Sequence, residues 1–414
     1  MRATLVRLHR WAGLVLAIFL SVAGLTGALL AWNDELEAVL APELFTARAP
    51  SPGMPLLDAL LLRERVQSAY PQAFVARAPL DVRAGHALVL RLYSLPNPVT
   101  GLTPELANDQ VFVNPYTGEL QGARKWGDLS QGARNLMPFV LRLHDSLALG
   151  KAGAVLMGMI ALLWTVDCVV GAIITFPKRS RHPGARPWLA RWRPAWTLRW
   201  GAGSHKLTFD LHRAGGLWLW AMLFVLAWSS VAFNLRQVYE PVTRTLLAYQ
   251  PDPVVTRLSR PLLQAHITWH QARDIGRARM AELGRARGFA VFDEYMLIYD
   301  PRTALYNYYA RTDRDVSERW GLTRVSIDGR TGVVASTWLP TGGAGGDTLR
   351  TWITTLHMAA VGGRPMQFFV CLTGVGIAML SVTGVMLWLR KRKGRRSAQD
   401  RRGMGVKQAK MSDP

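Results

Sequence analysis

The sequence predicts an α-helical integral membrane protein with four transmembrane helices in two repeats, each repeat carrying a small α+β domain between its helices. Three observations predict this. Four apolar runs, at roughly 11–32, 153–176, 214–235 and 366–389, reach the length of about 20 residues that a bilayer span requires. Basic residues concentrate in alternate connections between those runs. Histidines and glycines also recur at matching places in the two halves of the 414-residue chain.

Taken in order, residues 1–35 form the first span, opened by Leu8-His9-Arg10 and apolar from Trp11 to Trp32. Its basic start resembles an export leader. The apolar core is too long for one, however, and no small-x-small cleavage site precedes Trp32-Asn33-Asp34, so the helix is read as retained. Residues 36–143 are the first large segment. Leu57 to Tyr70 has helical character, 87–95 reads as a strand, and Val111 to Leu120 reads as a hairpin around Asn114-Pro115-Tyr116-Thr117-Gly118-Glu119. Residues 144–177 hold the second span.

A basic loop follows at 178–211, where Trp188, Trp192, Trp196 and Trp200 recur every fourth residue. Pro194 prevents one continuous helix there, and tryptophans among arginines suit a membrane interface better than a quinol or donor site. The third span occupies 212–236. The second large segment, 237–356, is helical from His270 to Arg287, strand-rich from Tyr295 to Arg311, and a hairpin from Val325 to Val334. Its Gly-rich stretch Thr341 to Gly346 lacks the Gly-Lys-Ser/Thr ending of a phosphate-binding loop. The fourth span lies at 357–390, and 391–414 is a basic tail.

Charge assigns the orientation. Residues 1–10 carry three basic side chains, 177–211 eight against one acidic, and 390–414 ten against two. The large segments are nearly balanced, with ten basic and eleven acidic residues in 33–143, and sixteen and twelve in 236–356. The positive-inside rule then places both termini and the basic loop in the cytoplasm, with the large segments on the other side. The net charge of +22 is therefore topological, and nucleic acid is not an expected partner; the lipid bilayer is. The two cysteines, Cys168 and Cys371, both fall in spans, which excludes a disulfide in the large segments. No Cys-x-x-Cys-His is present, so any haem is held non-covalently, as a b type.

The halves align on their chemistry. Leu8-His9-Arg10 and Leu211-His212-Arg213 each place a glycine four residues past the histidine. From His144, Gly150, Gly171 and Lys178 lie at +6, +27 and +34, and from His357, Gly363, Gly384 and Lys391 lie at the same offsets. Small residues at equal depth mark places where helices or a flat macrocycle approach the backbone closely.

Orientation sorts the histidines into a cytoplasmic pair, His9 and His212, and an outer pair, His144 and His357. Two per face are what two bis-His haems need; zinc, copper or a structural role are the other readings. A span of about 22 residues is about 33 Å long, so two such centres must lie well inside it or have aromatic residues such as Trp164 and Trp228 between them. Arg10 and Arg213 on one side, and Arg142, Arg350 and Arg364 on the other, suit haem propionates, or equally lipid phosphate. Asp167, midway along the second span, is costly there and suggests proton uptake, or else a hydrogen bond to a neighbouring helix. His266 and His270 have the i, i+4 spacing of metal ligands on a helix, but no third ligand is evident. His205 is a substitute candidate on the cytoplasmic side, and His86 and His182 read as surface residues.

These motifs resemble the PepSY-associated transmembrane family, which includes iron-regulated membrane proteins and ferrisiderophore reductases. The likeness rests on the Leu-His-Arg-x-x-Gly openings at His9 and His212, the Leu-His motifs at His144 and His357, Thr26-Gly27 and Thr383-Gly384. The Asn-Pro-Tyr-Thr-Gly-Glu and Asp-Gly-Arg-Thr-Gly hairpins add to it, and it covers the chain to about Gly394. The resemblance implies PepSY-like periplasmic domains on a protein of the bacterial inner membrane. It also implies haem in the bundle and electron delivery to periplasmic ferric-siderophore complexes, from quinol or a cytoplasmic reductase. Basic residues such as Arg273, Arg277 and Arg279 suit an acidic chelate, or simply a solvated helix face. Two other functions stand beside this: a non-catalytic tethered module that binds a peptidase or transport partner, and a siderophore permease.

Overall fold

The computed structural model describes residues 1–95, 102–180, 182, 184, 186–251 and 256–411, with side chains as far as Gly394. Arg181 and most of the basic tail therefore lie outside the described side chains. The chain divides into two compact units, one of Met1–Ala31, Leu143–Tyr239 and Phe368–Pro414, the other of Trp32–Arg142 and Glu240–Gln367.

The first unit is helical. Its long members are α1 (Arg2–Leu30), α2 (Gly150–Thr175), α3 (Ser204–Trp218), α4 (Trp220–Asn234) and α5 (Gly363–Met411). Among the described residues α1, α2 and α5 are each long and apolar enough to cross a bilayer, and α3 with α4 make a fourth crossing if that bent pair is one span. This is a membrane protein with three to four candidate spans. Hydroxyls inside the apolar helices are satisfied locally: Thr26 donates to Val22 O at 2.6 Å, Thr165 to Ala161 O at 2.8 Å, and Thr383 to Met379 O at 2.7 Å. Glycines let the helices close up. A Cβ on either Gly24 or Gly374 would collide with the other's carbonyl oxygen, so α1 and α5 cross backbone to backbone there.

Three expectations about these helices change. The third span is not straight: α3 and α4 meet at 67° around Leu219, one turn after the Gly215-Gly216 pair, and such pairs are common sites of kinking. His144 does not open the second span but lies in the last turn of its own helix, Leu136–Ser146. Leu147 and Ala148 then take φ of 53° and 57°, and α2 starts at Gly150, φ 61°. His357 likewise ends the helix Gly345–His357, after which Ala359 has φ 49° and Gly363, the first residue of α5, has φ 54°. Two consecutive left-handed residues without glycine are unusual, and nothing in their identity signals the break.

Among the described residues the second unit holds ten strands: Ala73–Phe74 (β1), Arg77–Pro79 (β2), Leu88–Arg91 (β3), Tyr93–Ser94 (β4), Gln110–Val113 (β5), Leu120–Arg124 (β6), Val291–Asp300 (β7), Leu305–Thr312 (β8), Thr323–Asp328 (β9) and Val334–Trp338 (β10). They form antiparallel sheets of order β10-β9-β8-β7-β2, β3-β5-β6 and β1-β4. Strand β2 belongs to the first large segment, yet it pairs with β7 of the second, Ala78 opposite Leu297. One core follows the same route, joining Leu60, Ala78 and Leu80 to Met280, Tyr299, Tyr306 and Ile327. The two large segments thus share a sheet and a core. A separate cluster of Leu62, Val66, Leu90 and Val111 lies wholly within the first.

Both hairpins form where the turn chemistry places them. In the first, the Asn114 side chain accepts from Tyr116 N–H at 2.9 Å, and Gly118 takes φ 75°. In the second, Asp328 accepts from Arg330 N–H at 2.8 Å, and Gly332 takes φ 77°. The helix Trp269–Arg287 opens with a capping box, Thr268 and Gln271 bonding each other's backbone N–H.

Candidate functional site

His9 lies on α1 and His212 on α3, 203 residues apart in the chain, and the fold brings them together. Their ring centroids are 6.1 Å apart and the rings are tilted by 54°. Each Nδ1 has a hydrogen-bond partner supplied by a neighbouring helix. His9 Nδ1 lies 2.9 Å from Asp167 Oδ1. His212 Nδ1 lies 3.0 Å from Leu380 O and 3.1 Å from Thr383 Oγ1. Carboxylate and carbonyl oxygens only accept, so both imidazoles carry their proton on Nδ1, and each Nε2 presents a lone pair. A metal ligand histidine is held in this way by its second nitrogen.

Glycines seat the rings. A Cβ on Gly384 would come to 3.1 Å from His212 Cε1, and one on Gly171 to 3.5 Å from His9 Cε1. These are the paired glycines at +27 in the two halves, and their small size leaves the imidazoles room against α2 and α5.

The two histidines face a cavity of about 780 Å³, a volume usual for a cofactor or drug-sized ligand. Its walls are mostly apolar, with Leu16, Leu20, Leu217, Leu223, Ile377 and Leu380 among them, and Trp164 and Trp220 contribute aromatic faces. Trp228, named with Trp164 from the sequence, is not among these lining residues and packs on Tyr239 with ring centroids 5.1 Å apart. Cations also line it: Arg10 carries no hydrogen bond or ion pair among the described residues, while Arg213 is held by Asp210 Oδ1 and Pro194 O, with its buried Nε–H left without an acceptor. An anion entering beside Arg10 and Arg213 would meet uncommitted donors.

Imidazoles that bind one metal from opposite sides, each at about 2 Å through Nε2, hold their ring centroids about 6 Å apart. The observed separation matches. Among the described residues no group of three or more His, Cys, Asp or Glu side chains is placed to hold a metal ion by itself. Two histidines flanking a largely apolar cavity, with cations nearby, suit a planar macrocyclic metal complex with acidic substituents.

The other candidates are placed as follows. His144 Nδ1 lies 3.0 Å from Thr26 Oγ1, and a Cβ on Gly27 would be 3.1 Å from its Cε1. His357 belongs to the other compact unit. Arg142 donates to Gly127 O at 3.4 Å, Arg364 is exposed, and Arg350 is half-buried. His205 also lines the cavity and is exposed. His266 precedes the cap of the helix Trp269–Arg287, so the expected helix face shared with His270 does not exist, and His270 lies 3.4 Å from Glu64 instead. His86 and His182 are exposed. Arg273 and Arg277 are engaged with Glu294, and Arg279 with Glu282.

Sequence reasoning did not find Asp210. It is fully buried, receives Arg199 at 2.7 Å and Arg213 at 2.9 Å, and so fixes one of the cavity cations. The signal was available in principle, because Asp210 is the sole acid among eight basic residues in 177–211. Trp188 and Trp192 pack edge-on against Phe176 at centroid distances of 5.3 and 5.2 Å, Trp196 packs edge-on against Trp192 at 5.1 Å, and Pro194 interrupts the helix as expected.

The family model of the PepSY-associated TM region matches residues 6–391, and the chain belongs to that family. No curated protein matches the chain.

Proposed function

We propose that this member of the PepSY-associated TM region family is a b-type haem oxidoreductase of the bacterial inner membrane, carrying electrons across the bilayer to reduce ferric-siderophore complexes in the periplasm. The observation that carries this reading is the His9–His212 pair, two imidazoles held through Nδ1 with ring centroids 6.1 Å apart beside a cavity of suitable size. A haem held by His9 and His212 would supply one-electron transfer and not oxygen chemistry. The protein's part is to fix the two ligand tautomers through Asp167, Leu380 and Thr383, to keep water from the apolar walls, and to meet propionates with Arg10 and Arg213.

The repeat supports a second pair. His144, bonded to Thr26 and seated over Gly27, repeats the setting of His212 over Thr383 and Gly384, and in the sequence His357 stands at the same offsets from its glycines and lysine as His144 does. The charge pattern places His9 and His212 toward the cytoplasm, where quinol or a cytoplasmic reductase supplies electrons, and both termini on that side. The paired large segments, read as PepSY-like, lie in the periplasm. A ferric chelate is the substrate because Fe(II) has lower charge and binds hard oxygen ligands less tightly, so reduction frees the metal.

Proteoliposomes with dithionite sealed inside, and a ferric hydroxamate with a ferrous-specific chromogen outside, test the reading. Wild type is expected to develop colour, and His9→Ala to fall at least tenfold, to the protein-free rate. A wild type no faster than empty vesicles would reject the function.

A further inference from the structure

The two imidazoles of the site are held by different chemistry. His212 donates its Nδ1–H to neutral oxygens, Leu380 O at 3.0 Å and Thr383 Oγ1 at 3.1 Å. His9 donates to a carboxylate, Asp167 Oδ1, at 2.9 Å. Asp167 is 9% exposed, and among the described residues its carboxylate has no arginine or lysine beside it. A carboxylate in an apolar helix is costly, and a simple link between α1 and α2 would be made equally well by the hydroxyl or carbonyl used on the other side.

We propose that Asp167 is a positioning residue that sets the electron affinity of the centre through His9. The inference rests on the haem reading above. A charged acceptor on Nδ1 draws the proton toward itself and raises the electron density at Nε2, making His9 a stronger ligand than His212. A stronger ligand with a negative charge behind it favours the ferric over the ferrous state, so the carboxylate lowers the midpoint potential. No bond is made or broken, and the electron arrives from the donor already named. The asymmetry between His9 and His212 then has a function: a low potential suits a centre that passes electrons to ferric chelates, themselves hard to reduce.

The test is a spectroelectrochemical titration of the purified full-length protein at one fixed pH, with haem content measured alongside. Asp167→Asn keeps an acceptor oxygen but removes the charge. It is expected to keep its haem and titrate higher, favouring the ferrous form about tenfold, about 59 mV for one electron. Asp167→Glu is expected to stay near wild type. Asp167→Ser, which supplies the kind of hydroxyl that Thr383 offers His212, is the second neutral variant should the first fail to fold, and it is expected to shift the same way. A neutral variant that keeps its haem at the wild-type potential overturns the proposal while leaving the haem reading intact. Loss of haem from both neutral variants also overturns it, because a residue that only tunes is not required for binding. A wild type that binds no haem defeats both readings.

Discussion

At the scale of the residue, the site depends on what is missing as much as on what is present. Gly384 and Gly171 stand where any side chain would press on an imidazole, and the contact is tighter at Gly384. Gly384→Ala must therefore push His212 by a few tenths of an ångström or displace α5, since overpacked sites commonly cost about 1–3 kcal/mol. It is expected to lower haem content at least twofold, whereas Gly201→Ala, outside the cavity and with nothing within 4 Å of its added methyl, is expected to leave it unchanged. Absorbance in the Soret region per milligram of purified protein decides between them. Equal loss from both variants would mean that the glycines matter for folding and not for the ligand. The histidines and these glycines were legible in the sequence because the repeat prints them twice at the same offsets. The hydrogen bond from His9 to Asp167 was not, because the partners are 158 residues apart and only the fold makes them neighbours.

At the scale of the element, the second unit is tied together by one arginine. Arg273, on the helix Trp269–Arg287, reaches Glu294 on β7 at 2.6 Å and Asp58, the cap of the helix Ala59–Ala69, at 2.5 Å. Burial alone would raise both carboxyls, but the hydrogen bonds from Arg273, with Arg277 and backbone N–H groups, outweigh it and hold Asp58 and Glu294 below their ordinary 3.8 and 4.5. A carboxyl with a depressed folded pKa contributes stability above its unfolded value, and that contribution is lost as pH falls through the folded one. Arg273→Ala is expected to cost about 1–2 kcal/mol at pH 7, partly screened because Asp58 is exposed, with the difference from wild type shrinking below about pH 4. Thermal melts of both proteins at pH 7 and pH 3.5 measure this, and a difference independent of pH would assign the loss to packing instead. Periodicity and turn residues revealed the helices and hairpins of this unit, since those signals are local. The pairing of β2 with β7 is not a local property, and neither periodicity nor turn chemistry encodes it. The break at Leu147-Ala148 was hidden because neither residue is proline or glycine, and the bend at Leu219 because the Gly215-Gly216 pair before it sits inside one continuous apolar run.

At the scale of the whole molecule, charge and hydropathy foretold a multi-span membrane protein, and the family match over residues 6–391 agrees with that. The duplicated histidines then organise the account, because a chain that sets the His9 and His212 rings 6.1 Å apart beside a cavity has brought together residues from both halves. A membrane anchor for a binding module has no use for that arrangement. The measurement that tests this most directly is the haem content per chain of detergent-purified protein from haem-replete cells, with reduced-minus-oxidised spectra of wild type, His212→Ala and His144→Ala. The account predicts two b-type haems in the wild type and one in each variant, with the remaining spectrum still that of a six-coordinate low-spin centre. A folded, colourless wild type, or a His212→Ala protein with its haem undiminished, would contradict it.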